Sequence, residues 1–484
     1  MIMPKSGSPI LYLQKVSRNI IFLLAGVSFL HSCTSGKQIN SQPKENPFNI
    51  TGLESAHLGV SIYDASANAF LYNSQGDKYF TPASNTKLFS LYAGMKWLGD
   101  SLTGAGYVDA DTALFIFPAG DPTLLHRDFR KQPVIDFFKQ SKKRIYLVDA
   151  NWYENPWGMG WSWDDYNDDY MPERSALPVY GNVIRWVQEK QGPSKQNQSF
   201  DPSPTIYSVP EVNWKVKFTT DKSQQQFFVK RRMSENIFEV TEGNEAFKQQ
   251  DVPFITNGLA SAAELLKDTV GREIFITNQF PRLSVPGGPT IVAFNGPHAP
   301  VGQEKEDADI KTIHSQPVDS LFLPMMSRSD NLFAEQTLLM VSNEKLGMMN
   351  DARIIDTLLK TDLKELPQKP SWVDGSGLSR FNLFTPQDFV WLLRKMKDEF
   401  GMDRMKRLLP TGGKGTLANY YKQDSGYVFA KTGSLTGVIC LSGYLYTQKN
   451  HLLIFSILVN NDVNPASAAR REIEKFVTSL RKNY

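Results

Sequence analysis

The chain has 484 residues, 41% apolar and 12% aromatic, with 53 basic against 50 acidic side chains and a formal net charge of +3. That length is more than one core organises and predicts two or three domains. The balance of charge, with no long run of one sign, gives no footprint for nucleic acid, and the composition is that of an ordinary globular protein.

The first 33 residues read as an export signal. Lys5, Lys15 and Arg18 precede the uncharged apolar run Ile20 to Leu30, which is short for a membrane span and suits a signal peptide. Leu30-His31-Ser32-Cys33 follows and resembles a bacterial lipobox, in which the cysteine becomes the lipidated N-terminus; His31 stands where a small residue is usual. The plainer alternative is a cleaved signal with an incidental cysteine. Residues 34–48 are polar, with Gly, Pro, Lys and Gln, and predict a flexible tether. The other cysteine, Cys440, lies in the apolar run Gly437 to Leu441 and is expected to be a buried strand residue. With Cys33 lipidated no disulfide forms, and stability must come from core burial.

Leu58 to Asp64 and Ala69 to Asn73 predict a β-hairpin. Thr81-Pro82-Ala83-Ser84-Asn85-Thr86-Lys87 comes next. Pro82 disfavours helix before it, and Ser84 can start one. Leu88, Leu91, Tyr92, Met95 and Leu98 then recur at helical spacing. Ser84 is therefore expected in the first turn of a buried helix, with Lys87 on its face one turn on. The helix dipole favours negative charge on that hydroxyl. A serine becomes a nucleophile when a neighbour takes its proton, and a neutral Lys87 could. The pattern alone says little, because Ser-x-x-Lys also starts at Ser41, Ser342 and Ser479.

Residues 106–305 carry strands of their own, at Ala113 to Phe117, Arg144 to Val148, Thr205 to Val209 and Gln226 to Lys230. So long a stretch must be one or two inserted domains. Within it, Gly160 to Tyr170 packs aromatics with Asp164, Asp165, Asp168 and Asp169, without the spacing or central glycine of an EF-hand. By itself it reads as a Trp-anchored loop with a solvated acidic edge. Ser329-Asp330-Asn331 then lies inside the apolar periodicity of Leu321 to Leu346. Read as extended, it puts Ser329 and Asn331 on one face. Asp374 to Arg380 is a Gly-rich loop without a Rossmann or P-loop setting. Pro386 to Met396 is helical. Tyr427 to Lys431, Gly437 to Tyr446 and Leu452 to Asn460 are successive strands, and Ala468 to Leu480 is an amphipathic helix. Lys431-Thr432-Gly433 occurs once, between two of those strands. The whole predicts an α+β fold: an antiparallel sheet built from both chain ends, covered by helices and interrupted by the insertion.

Ser-x-x-Lys, Ser-x-Asn and Lys-Thr-Gly in this order are the trio of penicillin-binding proteins and serine β-lactamases. From about residue 50 onward the chain resembles a D-alanyl-D-alanine carboxypeptidase/endopeptidase of the penicillin-binding protein 4 type. The resemblance rests on Pro82 to Lys87, Gly120 to Leu124, Gly160 to Asp165, Ser329 to Leu332, Asp374 to Arg380 and Lys431 to Ser434, and on the long insertion itself. After the signal with lipobox at 1–33 and the tether at 34–48 read from the leader, it implies a penicillin-binding domain at 49–105 and 306–484, and inserted domains at 106–305.

The resemblance also implies roles. Ser84 attacks the carbonyl between two D-alanines, and Lys87 is its general base, made neutral by burial beside Lys431. Ser329 relays the proton to the leaving amine, and Asn331 holds the substrate amide. Backbone N–H groups of Ser84 and Ser434 form the oxyanion hole. Lys431 and Thr432 bind the terminal carboxylate, and the strand through Gly433 pairs with an extended peptide. Asp165, Tyr170, Ser376 and Arg380 hold the side chain of meso-diaminopimelate, which carries an ammonium and a carboxylate. Neither metal nor cofactor is expected. The implied partners are peptidoglycan stem peptides, β-lactams as inhibitors and a membrane through a lipid anchor, with no nucleic acid, in the periplasm or cell envelope. Two other readings use the same features: a β-lactamase of the same superfamily, and a non-catalytic, lipid-anchored wall-binding module.

Overall fold

The computed structural model describes residues 50–190, 204–219, 225–278 and 310–484. The expected signal, Cys33 and the tether lie outside these. Among the described residues, no helix is long and apolar enough to cross a membrane.

The central sheet has five antiparallel strands in the order Val428–Leu435, Val438–Tyr446, Leu452–Asn460, His57–Asp64 and Ala69–Ser74. The two chain ends meet where His57–Asp64 pairs with Leu452–Asn460, Val60 opposite Ile457. Continuous apolar runs such as Leu452–Asn460 form because both faces of the sheet are covered. Alternation sends neighbouring residues to opposite cores. Cys440 packs with Leu88, Phe89, Phe333 and Phe389 on one side. Ile439 and Leu441 pack with Ile473, Phe476 and Val477 of the Ala466–Asn483 helix on the other. Cys440 is thus the buried strand residue expected, 2% exposed.

Helices Lys87–Trp97, Asn331–Leu346 and Pro386–Phe400 contribute to the first of these cores, together with Val318–Ser327, Asp351–Lys360 and Met402–Leu408. Thr385 and Asp388 form a capping box at the start of Pro386–Phe400, with Pro386 at its first position. Asn331–Leu346 is buried on every side from Leu332 to Ser342, which makes it the central helix of the domain. Its Asp330 cap accepts from the Phe333 N–H.

The insertion has its own core and its own five-stranded sheet, in the order Ile274–Thr277, Arg144–Val148, Ala113–Pro118, Ser101–Asp109 and Lys311–Pro317. That sheet begins and ends outside the expected limits of 106 and 305. Two three-stranded sheets complete the inserted region, one formed by Lys215–Thr219, Glu235–Thr241 and Phe228–Arg232, the other by Phe247–Pro253, Val183–Glu189 and Thr205–Val209.

Candidate active site

Ser84 lies in a short 3-10 turn, Ala83–Thr86, that leads into the Lys87–Trp97 helix. The turn is pressed between a strand and a loop, and two glycines allow the approach. A Cβ on Gly433 would stand 2.5 Å from the Pro82 carbonyl oxygen, and one on Gly377, at φ +83°, 1.9 Å from that of Ala83. Val428–Leu435 is an edge strand, and Lys431 and Gly433 share its buried face beside the turn. Thr432 and Ser434 alternate to the other face, where the Ser434 hydroxyl accepts from Arg470 at 2.8 Å.

Ser329-Asp330-Asn331 is not extended. Ser329 takes a left-handed conformation at φ 64°, Asp330 is the helix cap and Asn331 opens the helix. The helix won because the Asp330 carboxylate satisfies one of its free N–H groups. Both side chains still reach the site. Lys431 Nζ donates to Ser329 Oγ at 2.9 Å and to the Thr432 carbonyl at 2.8 Å. Lys87 Nζ meets Asn331 Oδ1 at 2.6 Å, the Ser376 carbonyl at 2.7 Å and Ser84 Oγ at 3.0 Å.

These three contacts have a chemical order. Asn331 Nδ2 donates to the Tyr170 carbonyl at 2.8 Å, which fixes the amide so that Oδ1 faces Lys87. Asn331 Oδ1 and the Ser376 carbonyl can only accept. When Lys87 is neutral they take its two N–H groups, and its lone pair is left for the Ser84 hydroxyl. The arrangement can therefore pull a proton from Ser84.

The electrostatics permit it. Both lysines are fully buried. Burial brings Lys87 down to about 8, against the pull of Asp374, Glu335 and Asp330. Burial, and then the charge on Lys87, holds Lys431 well below the ordinary lysine range. Of the expected burial beside Lys431, burial is what lowers Lys87, and the repulsion between the two lysines falls on Lys431.

The four residues expected around diaminopimelate divide. Tyr170 is 43% exposed, and Asp165 and Asp168 are the charges near its phenol, so these residues lie together on the rim. Arg380 is exposed and donates to the Thr436 carbonyl at 2.8 Å. The loop before Asp165 is seated on the Gly-rich loop, Trp161 Nε1 donating to Asp374 at 3.1 Å. Ser376 is different. It is fully buried, and its carbonyl, not its hydroxyl, serves the site by receiving Lys87. The hydroxyl accepts from the Leu378 N–H at 3.2 Å, so the contact Ser376 makes at the site is the support its carbonyl gives Lys87. A cavity of about 320 Å3 opens beside Ser329, Asn331 and Tyr170 toward Arg127 and Arg185 of the insertion. Among the described residues no group of His, Cys, Asp or Glu is placed to hold a metal.

A buried charge cluster behind Lys87 was not singled out in the sequence. Glu335 receives the Ser376 N–H at 2.7 Å, and Arg174 lies 3.4 Å from Glu335 and 2.6 Å from Asp351. The one local signal was the spacing of Glu335, a turn after Asn331.

The chain matches the D-Ala-D-Ala carboxypeptidase 3 (S13) family over residues 48–483. It is 26% identical over 454 residues to a D-alanyl-D-alanine carboxypeptidase of Actinomadura sp., covering 86% of this chain and 80% of that one. It is 22% identical over 437 residues to the D-alanyl-D-alanine carboxypeptidase DacB of Haemophilus influenzae, covering 84% and 86%. The crystal structure of penicillin binding protein 4 (dacB) from Haemophilus influenzae superposes with a TM-score of 0.66 at 20% identity, over 90% of this chain and 99% of that one.

Proposed function

The chain belongs to the D-Ala-D-Ala carboxypeptidase 3 (S13) family, a serine peptidase acting on peptidoglycan, and from that premise we propose how its residues cleave a D-Ala-D-X bond. Ser84 is the nucleophile and Lys87 the general base. What carries the reading is the Lys87 amine, whose two obligate acceptors leave its lone pair for Ser84 Oγ at 3.0 Å. The substrate's terminal carboxylate docks beside Lys431 and favours the protonated form of that lysine. A charged Lys431 in turn drives Lys87 toward neutral. Attack forms an oxyanion, received by the backbone N–H groups of Ser84 and Ser434 by family analogy. As the adduct collapses and the C–N bond breaks, the proton that Lys87 took from Ser84 passes through the hydroxyl of Ser329, held by Lys431, to the leaving amine. Water then hydrolyses the acyl-enzyme. The outer edge of Val428–Leu435 is paired with Pro410 and Thr411 at Ala430 and Phe429, and its remaining stretch from Lys431 onward suits an extended peptide added as a further strand.

Chromatography with mass spectrometry of the products from purified peptidoglycan tests this. The expected products are muropeptides that have lost a terminal D-alanine or a D-Ala cross-link. No product from any muropeptide would favour the wall-binding module. Fast, sustained hydrolysis of nitrocefin would favour a β-lactamase.

Asp165 and Arg380 are proposed to hold the ammonium and carboxylate of diaminopimelate, with Tyr170 beside them. Asp165→Ala and Arg380→Ala are each expected to lower kcat/KM on diaminopimelate peptides roughly tenfold or more, in line with about 1.5–3 kcal/mol for a charged hydrogen bond. Acylation by simple penicillins, which lack that side chain, should change little. Mutants that keep the wild-type preference between diaminopimelate and lysine peptides would place the pocket elsewhere.

Export and a lipid anchor at Cys33 are proposed from the leader and lipobox. Cys33→Ser should move the protein from the membrane to the soluble fraction and block labelling by a clickable fatty acid. A wild-type protein that takes up no such label would refute the anchor.

A further inference from the structure

The Ser376 carbonyl takes one N–H of Lys87, yet it sits between Gly375 and Gly377, where the local chain does little to fix it. Two buried carboxylates fix it instead. The peptide plane that bears this carbonyl has its N–H on Gly377, and that N–H donates to Asp374 Oδ1 at 2.8 Å. The plane before it has its N–H on Ser376, and that N–H donates to Glu335 Oε1 at 2.7 Å. Asp374 belongs to the same loop. Glu335 does not: it lies four residues after Asn331 on the central helix, on the same face. That helix therefore reaches Lys87 twice, directly through Asn331 and indirectly through the Ser376 backbone.

Glu335 is itself held. It is 1% exposed, and Arg174, also 1% exposed, comes from the insertion to lie 3.4 Å from it. Arg174 is anchored further by Asp351 at 2.6 Å, Glu154 at 3.2 Å and the Asn155 carbonyl at 2.9 Å. A buried carboxylate without such a partner would be expensive.

We propose that Glu335, secured by Arg174, is a positioning residue for Lys87: with Asp374 it pins the backbone around Ser376, so that the Ser376 carbonyl takes one N–H and the lone pair of the neutral amine is left for Ser84. This rests on the reading of Lys87 as base. Glu335 touches neither substrate nor reacting atoms, so its role is distinct from those of Ser84 and Lys87. It also adds negative charge near the base. The charged groups facing Lys87 are Glu335, Asp374, Asp330 and Lys431, and those facing Glu335 are Arg174, Asp374 and Asp351. Burial, and then the Asp374 charge, push Glu335 itself up to about 7, so its charge supports the Lys87 ammonium only toward the upper part of the acid limb of the pH profile.

The test is the pH profile of penicillin acylation in wild type, Glu335→Gln and Glu335→Ala, with folding followed by thermal melting. Glutamine keeps an acceptor for the Ser376 N–H and loses the charge. It should retain most of the plateau rate, with the acid limb moved at most slightly to lower pH. Alanine releases the Ser376 backbone and should lower the plateau rate roughly tenfold or more, in the acylation step and not in penicillin binding. A folded Glu335→Ala that keeps the wild-type plateau rate overturns the proposal, and so does a folded Glu335→Gln that loses tenfold or more of it, whether or not Glu335→Ala folds. A wild type that penicillin does not acylate would instead remove the reading on which the proposal rests.

Discussion

Ser84→Ala is expected to abolish penicillin acylation and D-alanine release together, in a protein that still folds. Among the described residues, Ser84 Oγ is the nucleophile that the Lys87 amine meets, at 3.0 Å, so its loss removes the route to an acyl-enzyme. The structural loss is small. The hydroxyl makes one hydrogen bond, to Lys87, worth about 1 kcal/mol, and Lys87 keeps Asn331 and Ser376 as acceptors. Ser342, which also begins a Ser-x-x-Lys pattern, serves as the opposite control. Its buried hydroxyl bonds to the Met348 and Asn350 carbonyls and to the Asn350 N–H. Ser342→Ala should therefore lower Tm while acylation of the folded protein persists. Thermal melting and labelling by a fluorescent penicillin separate the two. Labelling of folded Ser84→Ala would rule this serine out.

Lys87→Ala is expected to slow acylation by roughly a hundredfold to ten-thousandfold, the usual worth of a positioned general base. Lys87→Arg should not rescue it, since a guanidinium stays protonated and offers no lone pair. The pH dependence follows from the same group. Burial brings Lys87 to about 8, and only the neutral amine accepts a proton. The wild-type acylation rate should therefore climb with rising pH and level off above about 8. In Lys87→Ala that limb should vanish. A mutant that keeps the wild-type rate and limb would show that another group takes the Ser84 proton.

The parts of the site that could be read from the sequence are those held by short spacing. Ser84 and Lys87 are three residues apart, and the apolar positions after them demand a helix. The three C-terminal strands were plain because both of their faces are buried, as in Leu452–Asn460. The outer strands of the inserted sheet were not. Ser101–Asp109 contains Gly104 and Gly106, and Lys311–Pro317 mixes charge, histidine and proline, so neither carries a strong strand signal. The part of the Ser376 carbonyl beside Lys87 has no sequence signal, because a loop sequence does not tell whether a hydroxyl or a carbonyl faces the site. Arg174 and Glu335 are brought together across 161 positions, and no local pattern announces such a pair. Ser329-Asp330-Asn331 was read as extended, whereas Asp330 turns it into a helix start.

The most direct test of Ser84 as the acylated residue is to locate the adduct by mass spectrometry after brief exposure to a penicillin, alongside D-alanine release from a pentapeptide muropeptide. One adduct with the full mass of the opened penicillin is expected, on the peptide that contains Ser84. It should be absent from Ser84→Ala, which should also release no D-alanine. An adduct on a different residue, or D-alanine released by folded Ser84→Ala, would contradict the account.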